Sequence, residues 1–359
     1  MPLLPLRLTI PLHPLLLPLR WLAAHHWLRE SDVDACLGFV QPAWALTRIH
    51  ARVEARRWVA EDMLAIRLRP NGNWPGAQAG QHVQLFIERN GVRLSRSYSL
   101  TAQADGCIEI AVRRQPEGRV SAWLCEYLSV GDCVELGSPS GELRWPQEGA
   151  VLLAAAGSGI TPLLGLLRDA LGRGFSSPVR LLHFVREQGQ RAFVEELQQL
   201  QARYPNLAVE WAVTAGPSGQ RLNAEQLHEW REAHVLSCGP AGFVEQLREL
   251  VEGQAASLQV ESFTPPQWRA EGERRPVRLQ FVRSRQEAVG DNQSSLLEQA
   301  EAAGLKPEHG CRQGICTQCT CQLLEGAVRD LRSGEISHEP GQSIRICVSA
   351  PLGDVRVDL

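Results

Sequence analysis

The stretch CRQGICTQC, residues 311–319, places three thiols within nine residues. Their spacing is C-x4-C-x2-C, and a fourth cysteine follows after 27 more residues. Two irons bridged by two sulfides need four terminal thiolates, of which one loop can supply three while the fourth comes from elsewhere. Gly310 and Gly314 allow the backbone to approach the sulfurs and to direct N–H groups at them. The pattern therefore predicts a [2Fe–2S] cluster bound by Cys311, Cys316, Cys319 and Cys347.

A structural zinc site is the alternative, because zinc can also take four thiolates. Such sites usually combine two short C-x2-C pairs, and one loop with three cysteines plus a distant fourth fits that arrangement poorly. Cys321 lies two residues beyond Cys319, and we interpret it as a buried residue that is not a ligand. The other cysteines are scattered, which is typical of reduced thiols in an intracellular protein.

Composition narrows the class of protein. Of the 359 residues, 44% are hydrophobic and 21% are charged, as in soluble globular proteins. The length predicts two or three domains. The net charge of −3 does not favour a nucleic-acid partner. We expect a cytoplasmic protein. Any association with the inner membrane is expected to be peripheral and to be made through the protein that accepts its electrons.

The first twenty residues are apolar but contain five prolines, which argues against a membrane-spanning helix. No small-residue cleavage site follows an uninterrupted apolar run, so a signal peptide is not indicated. We expect a disordered leader, with a membrane-surface anchor as the alternative. Residues 21–39 are predicted to form a short amphipathic helix within an N-terminal extension that covers residues 1–46.

Four further segments follow the extension. Residues 47–150 read as short strands between turns, which predicts an antiparallel β-barrel. Residues 151–264 alternate strands with helices, which predicts a parallel α/β sheet with right-handed crossovers. Residues 265–276 are rich in proline and charge, as in a linker. Residues 277–359 contain the cysteine loop and are predicted to form a small mixed α+β domain.

Two segments of the predicted barrel could hold a flavin. In RSYS, residues 96–99, the aromatic ring could support the flavin ring, the last hydroxyl could donate to N5 and the arginine could bind phosphate. The segment GRVSAWL, residues 118–124, opens a helix whose N–H groups could bind the phosphates. A turn followed by an ordinary helix explains these residues equally well. The candidate flavin residues are Arg96, Tyr98, Ser99, Gly118, Val120 and Ser121.

Two glycine-containing loops lie at strand ends of the predicted parallel sheet. GSGITP, residues 157–162, and CGP, residues 238–240, each follow a strand and precede a helix. Ligands of such sheets bind beyond the carboxyl ends of the strands, so the two loops together favour a nucleotide over simple tight turns. The candidate residues are Gly157, Gly159, Thr161, Pro162, Cys238, Gly239 and Pro240.

The order RSYS, GRVS, GSGITP, CGPAG and CRQGICTQC resembles the ferredoxin–NADP reductase superfamily fused to a plant-type ferredoxin domain, over residues 47–359. The resemblance implies a six-stranded FAD-binding barrel, a Rossmann-like NAD(P) domain and a C-terminal β-grasp domain with the cluster. It further implies that Ser99 is the hydrogen-bond partner of flavin N5 and that Cys238 points at the site of hydride transfer. ESF, residues 261–263, resembles the acidic-aromatic segment near the flavin, which adds Phe263 to the candidates.

The same resemblance implies hydride transfer from NAD(P)H to the flavin, followed by single electrons to the cluster and to a separate protein. We expect FAD rather than FMN. We also expect NADPH rather than NADH, because Arg186 and Arg191 follow the second strand of the nucleotide domain, where a 2′-phosphate would lie.

The identity of the acceptor is the most open expectation. The N-terminal lead-in and the LRPNGNWPG turn most resemble reductases that serve fatty-acyl desaturases, and oxygenase reductases share the domain order. A reductase of a hybrid-cluster or other redox protein is the alternative within this class. A redox-sensing iron–sulfur protein is the alternative from another class, and two nucleotide loops weigh against it.

Overall fold

A computed structural model describes residues 16–25, 27–89, 92–217, 219–263, 272–310, 312, 314 and 318–359. The chain divides into two compact units, residues 1–264 and residues 265–359. The first unit contains an N-terminal extension, a barrel and a parallel sheet, and the second unit contains the cysteine loop. Each unit is described by itself below.

The extension holds two helices, α1 (Leu17–Ala24) and α2 (Glu30–Val40). The sequence predicts one helix that begins at residue 21, so the start of α1 differs from that expectation. The helix can begin earlier because Pro18 lies in its first turn. Backbone N–H groups in the first turn have no intrahelical partner, so a residue without an N–H is accepted there. Residues 1–15, which account for most of the predicted leader, lie outside the described residues. Within the described part of the chain, no helix is long and apolar enough to cross a bilayer.

Six antiparallel strands form a closed barrel in the order β1-β2-β5-β4-β3-β6. Its interior is lined by aliphatic side chains such as Leu68, Leu85 and Ile110, none of which is exposed to solvent. A short helix, α3, follows the fifth strand. The elements are β1 (Ile49–Ala60), β2 (Met63–Pro70), β3 (His82–Arg89), β4 (Val92–Ala104), β5 (Cys107–Arg113), α3 (Ser121–Glu126) and β6 (Cys133–Leu136).

Five parallel strands form the second sheet, in the order β11-β10-β7-β8-β9. Helices connect the strands as the alternating pattern predicts. One predicted helix differs: residues 225–230 form a 3-10 turn, because Asn223 and Gln226 bond to each other's backbone N–H groups over this short span. The elements are β7 (Val151–Ala156), α4 (Ile160–Gly172), β8 (Val179–Val185), α5 (Val194–Arg203), β9 (Leu207–Val213), β10 (His234–Gly239), α6 (Ala241–Val251) and β11 (Ser257–Ser262).

The barrel and the parallel sheet share a hydrophobic core. Met63 and Ala111 of the barrel belong to the same buried cluster as Leu163 and Leu167 of α4. Gly165 permits the contact, since a Cβ at this position would lie 2.2 Å from the carbonyl oxygen of Leu100 on β4. This close packing fixes the barrel strands that carry the candidate flavin residues relative to the nucleotide loops.

The second unit is a mixed sheet covered by one helix. Five strands pair in the order β13-β12-β19-β14-β17, and β16-β15-β18 form a small second sheet. Ser295 and Glu298 form a capping box at the start of α7. The elements are β12 (Pro276–Phe281), β13 (Gln286–Asp291), α7 (Leu296–Ala302), β14 (Thr320–Glu325), β15 (Val328–Asp330), β16 (Ile336–Ser337), β17 (Gln342–Arg345), β18 (Ser349–Pro351) and β19 (Val355–Val357).

The architecture confirms the predicted fold class: an antiparallel barrel, a Rossmann-like parallel sheet and a C-terminal mixed α+β domain. The precise domain boundaries proposed from the sequence stay a prediction.

Candidate functional site

A polar cluster joins the barrel to the parallel sheet. In the barrel, His82 of β3 is paired with Ser99 of β4. In the parallel sheet, Cys238 of β10 is paired with Glu261 of β11. The two pairs meet because Nδ1 of His82 lies 3.5 Å from Oε1 of Glu261. The structure thereby brings the two predicted catalytic residues, Ser99 and Cys238, to one junction. The presence of His82 at this junction was not foreseen from the sequence.

Several polar atoms of β4 and of Glu261 are buried without a hydrogen-bond partner among the described residues. They are the hydroxyl groups of Ser97, Tyr98 and Ser99 and Oε2 of Glu261. Buried polar atoms are normally paired, so an unpaired set indicates a missing polar ligand. A flavin ring, with polar atoms along one edge and an apolar face, fits this set.

Tyr98 is suited to contact such a ring through its aromatic face. The ring packs against the barrel core, as do Trp74 and Trp123. Burial raises the pKa of Tyr98, while the nearby guanidinium of Arg96 lowers it by a smaller amount. The phenol therefore stays neutral at physiological pH and acts as a hydrogen-bonding and stacking group.

The Cys238 side chain is a neutral thiol. It is fully buried, and that burial raises its pKa, as does the negative charge of Glu261. A thiol that stays protonated is a poor nucleophile. Its small uncharged side chain suits a residue that positions a bound ring.

The predicted flavin-phosphate segment forms a crowded turn at the start of α3. The Gly118 position tolerates no side chain, because a Cβ would lie 2.2 Å from Oγ of Ser121. That hydroxyl accepts a hydrogen bond from the N–H of Gln115 at 3.2 Å. Val120 is buried in the barrel core, which anchors the turn to the barrel. Arg96 donates to the carbonyl of Ser95 at 2.7 Å, so its position is also fixed.

A cavity of about 850 Å³ opens at the carboxyl ends of the parallel strands. Its lining includes five residues predicted from the sequence: Gly157, Arg186, Gly239, Pro240 and Phe263. It also contains Arg113 and Arg221, and no carboxylate is present among the described lining residues. A cavity of this size and charge suits a phosphorylated nucleotide.

Other predicted residues of the nucleotide loops do not line the cavity but pack behind the residues that do. Thr161 is buried, and its hydroxyl donates to the carbonyl of Ser158 at 3.0 Å. Pro162 is buried in α4. Gly159 lies against the backbone of β10, where a Cβ would be 1.9 Å from the carbonyl oxygen of Cys238. Arg191 does not line the cavity, and its Nε donates to the carbonyl of Gln188 at 3.2 Å.

His183 supports the first nucleotide loop and was missed by sequence reasoning. It is fully buried in β8, and its Nε2 lies 3.0 Å from the carbonyl oxygen of Gly157. Burial, with a smaller contribution from the charge of Arg113, lowers the pKa of His183 to about 4, although the hydrogen bond to Gly157 opposes this shift. The neutral imidazole therefore donates Nε2–H to the loop. Nothing in the local sequence VRLLHF distinguishes it from an ordinary core residue.

Two of the four predicted cluster ligands are described. Cys319 and Cys347 are buried, and their sulfurs lie 3.1 Å apart. This separation is too long for a disulfide and short enough for both thiolates to bind one iron. Arg345 donates to the carbonyl of Gly314, which holds the cysteine loop against β17. Cys311 and Cys316 lie outside the described residues.

Comparison with known families identifies all three domains. Residues 50–145 match the oxidoreductase FAD-binding domain, and residues 153–249 match the oxidoreductase NAD-binding domain. Residues 281–352 match the 2Fe-2S iron-sulfur cluster binding domain. FAD, NAD(P)H and a [2Fe–2S] cluster are thus the cofactors of this chain.

Similar proteins match this chain over most of their own length. An NADPH oxidoreductase of Mycobacterium tuberculosis is 32% identical over 91% of this chain and 88% of its own. The toluene-4-sulfonate monooxygenase system reductase subunit of Comamonas testosteroni is 31% identical over 83% of this chain and 94% of its own. Phthalate dioxygenase reductase shares the fold, with a TM-score of 0.59 and 24% identity over 87% of this chain and 98% of its own. The chain therefore belongs to the ferredoxin–NADP reductase superfamily, as an oxidoreductase fused to a C-terminal plant-type [2Fe–2S] ferredoxin domain.

Proposed function

We propose that this chain is the reductase component of a multiprotein system: it takes hydride from NADPH and delivers single electrons to a separate oxygenase or fatty-acyl desaturase. The observation that carries the proposal is the contact between His82 and Glu261, which unites Ser99 of the barrel with Cys238 of the nucleotide sheet. Residues predicted for the flavin site and for the nicotinamide site are thus close to one contact, which supports direct hydride transfer between the two cofactors.

When bound, the flavin would supply two-electron hydride chemistry and the [2Fe–2S] cluster would supply one-electron chemistry. The side chains bind and orient. The Ser99 hydroxyl, which has no partner among the described residues, would donate to N5 of the flavin, Tyr98 would lie against the ring, and Cys238 would position the nicotinamide. His82 and Glu261 hold the two domains in register. No side chain needs to act as a nucleophile.

We propose that the nucleotide is NADPH, held at its 2′-phosphate by Arg186 and Arg221. Both line the cavity, and neither forms an ion pair with a described carboxylate. Arg113 is less suited, since its Nε already donates to Asp62 at 2.7 Å. A charge-assisted hydrogen bond is worth about 1.5–3 kcal/mol, which corresponds to roughly 10- to 150-fold in affinity.

The test is steady-state kinetics with both nucleotides. Arg186→Ala and Arg221→Ala should each raise KM for NADPH at least about tenfold and leave KM for NADH nearly unchanged. Arg191→Ala is the matched control, because it removes a neighbouring arginine that does not line the cavity. Equal effects on the two nucleotides, or an effect of Arg191→Ala as large as the others, would show that the assignment is wrong.

The acceptor is proposed from the relatives, whose names include reductase subunits of monooxygenase systems. The experiment is reconstitution of NADPH-dependent turnover with candidate oxygenases and desaturases. Cys316→Ala should abolish transfer to the acceptor and to cytochrome c while preserving ferricyanide reduction by the flavin. Cys321→Ala is the control, since it changes a nearby thiol that is not a predicted ligand. Transfer that survives the loss of the cluster would refute the electron path.

A further inference from the structure

Three arginine side chains lie close to the cysteine loop of the second unit, residues 311–319. Arg312 belongs to the loop itself. The guanidinium of Arg332 packs against Gly314, where an added Cβ would lie 2.9 Å from its Cζ. Arg345 donates a hydrogen bond from Nη1 to the carbonyl oxygen of Gly314. The loop therefore has three positive charges nearby, and these charges differ in whether a carboxylate neutralises them.

Arg312 and Arg332 are each neutralised by a carboxylate. Nη1 of Arg312 lies 2.9 Å from Oε2 of Glu301 on α7. Nη2 of Arg332 lies 3.1 Å from Oδ2 of Asp330. Arg345, in contrast, forms no ion pair with a carboxylate of the described residues, and its bond to the loop is partly buried. Because burial reduces screening by solvent and salt, Arg345 contributes an uncompensated positive charge beside the loop.

The chain segments that carry the predicted cluster ligands contain no acidic residue. Residues 309–322 and 342–349 include all four cysteines, and neither segment contains Asp or Glu. Arg345 lies two residues before Cys347 in the second segment, and its side chain reaches Gly314 in the first. It thus links the loop that carries three predicted ligands to the segment that carries the fourth, with no carboxylate from either segment to offset its charge.

A positive charge at this position affects how readily the cluster is reduced. Reduction adds one electron, which the proposed path takes from the reduced flavin, and it neither forms nor breaks a bond. The negative charge of the cluster therefore increases by one, and a nearby positive charge stabilises that more negative state. We propose that Arg345 raises the reduction potential of the [2Fe–2S] cluster and thereby favours electron transfer from the flavin.

This inference deepens the proposed function and rests on it for the direction of electron flow. The potential itself is measured without NADPH or an acceptor protein, so the two proposals can fail separately. At an effective dielectric constant of about 20, one unit charge about 10 Å away changes an equilibrium between two charge states roughly tenfold or more. A tenfold change corresponds to about 59 mV for a one-electron couple.

The experiment is a mediated dithionite titration of the purified holoprotein, with the reduced cluster quantified by electron paramagnetic resonance. Arg345→Gln removes the charge and keeps a side-chain donor for the carbonyl of Gly314. At a fixed potential, its ratio of reduced to oxidised cluster should be about tenfold below that of the wild-type protein, which is a midpoint lower by about 59 mV. Arg345→Lys keeps the charge and should retain a midpoint close to the wild-type value.

Arg356→Gln is the matched control. It removes the same charge from β19 of the same unit, at a position that pairs with Glu325 and has no hydrogen bond to the part of the cysteine loop that the structure describes. Its midpoint should equal that of the wild-type protein.

Three outcomes overturn the proposal. The first is a midpoint of Arg345→Gln equal to that of the control. The second is an equal decrease in Arg345→Lys and Arg345→Gln, which would assign the effect to the hydrogen bond rather than to the charge. The third is loss of iron from purified Arg345→Gln, which would assign Arg345 to retention of the cluster instead of to its potential.

Discussion

Substitution of Gly159 by alanine should separate the two nucleotide loops and slow hydride transfer. A Cβ at this position would lie 1.9 Å from the carbonyl oxygen of Cys238, whereas real Cβ contacts are essentially never shorter than 3.0 Å. The loops must therefore move apart by about 1.1 Å, the difference between these two distances. The φ of Gly159 is −60°, so alanine suits the local backbone and only this contact opposes it.

A misplacement of about 1 Å can cost about a hundredfold in rate when a step depends on alignment of two rings. We expect anaerobic stopped-flow reduction of the flavin by NADPH to slow by about that factor in Gly159→Ala. Overpacking should also lower the free energy of unfolding by about 1–3 kcal/mol. Gly172→Ala, at the far end of the same helix, has open space for its Cβ and serves as the control. Equal rates in the two variants would refute the reasoning.

Three further predictions concern the junction, the first nucleotide loop and the C-terminal unit. Ser99→Ala should slow flavin reduction about 10- to 100-fold in stopped-flow measurements, with little change in stability, because it removes one hydrogen bond to the ring; an unchanged rate would contradict that role. His183 is neutral when folded and protonates more easily when unfolded. This difference should add up to about 3 kcal/mol to the free energy of unfolding above pH 6.5, and the added stability should disappear as the pH falls to about 4. Urea titrations should therefore give a flatter dependence of unfolding free energy on pH for His183→Gln than for the wild-type protein. Parallel profiles would contradict the assignment. Phe281→Ala should lower the free energy of unfolding of the C-terminal unit by about 3–5 kcal/mol, since this side chain is fully buried, and a loss below 1 kcal/mol in denaturant titration would contradict the packing.

Local sequence patterns were sufficient to predict the fold and the positions of most loops. Glycines at 118, 157 and 239 lie where a turn or a close approach excludes a side chain, and such constraints are visible in the sequence. The alternation of strand-like and helical segments predicted the parallel sheet, beginning with the continuous apolar run of β7. The extension was harder to predict, since proline breaks helices in general but is accepted in the first turn, as Pro18 shows.

Contacts between distant segments could not be predicted from single motifs. His82 and Glu261 come from different domains, and their separation of 3.5 Å depends on how the barrel packs against the parallel sheet. Arg221 reaches the nucleotide cavity from a loop without a motif, whereas Arg191, although close in sequence to the predicted site, does not line it. Side-chain direction at the end of a strand depends on tertiary structure that the local sequence does not encode.

The most direct test of the central claim is electron paramagnetic resonance of protein that is frozen within one turnover of mixing with NADPH. The account predicts the signal of a reduced [2Fe–2S] cluster in the wild-type protein. In Cys347→Ala the signal should be absent while the flavin is still bleached at the wild-type rate. A wild-type protein that contains the cluster and a bleached flavin, but shows no reduced-cluster signal, would contradict transfer from NADPH through FAD to the cluster.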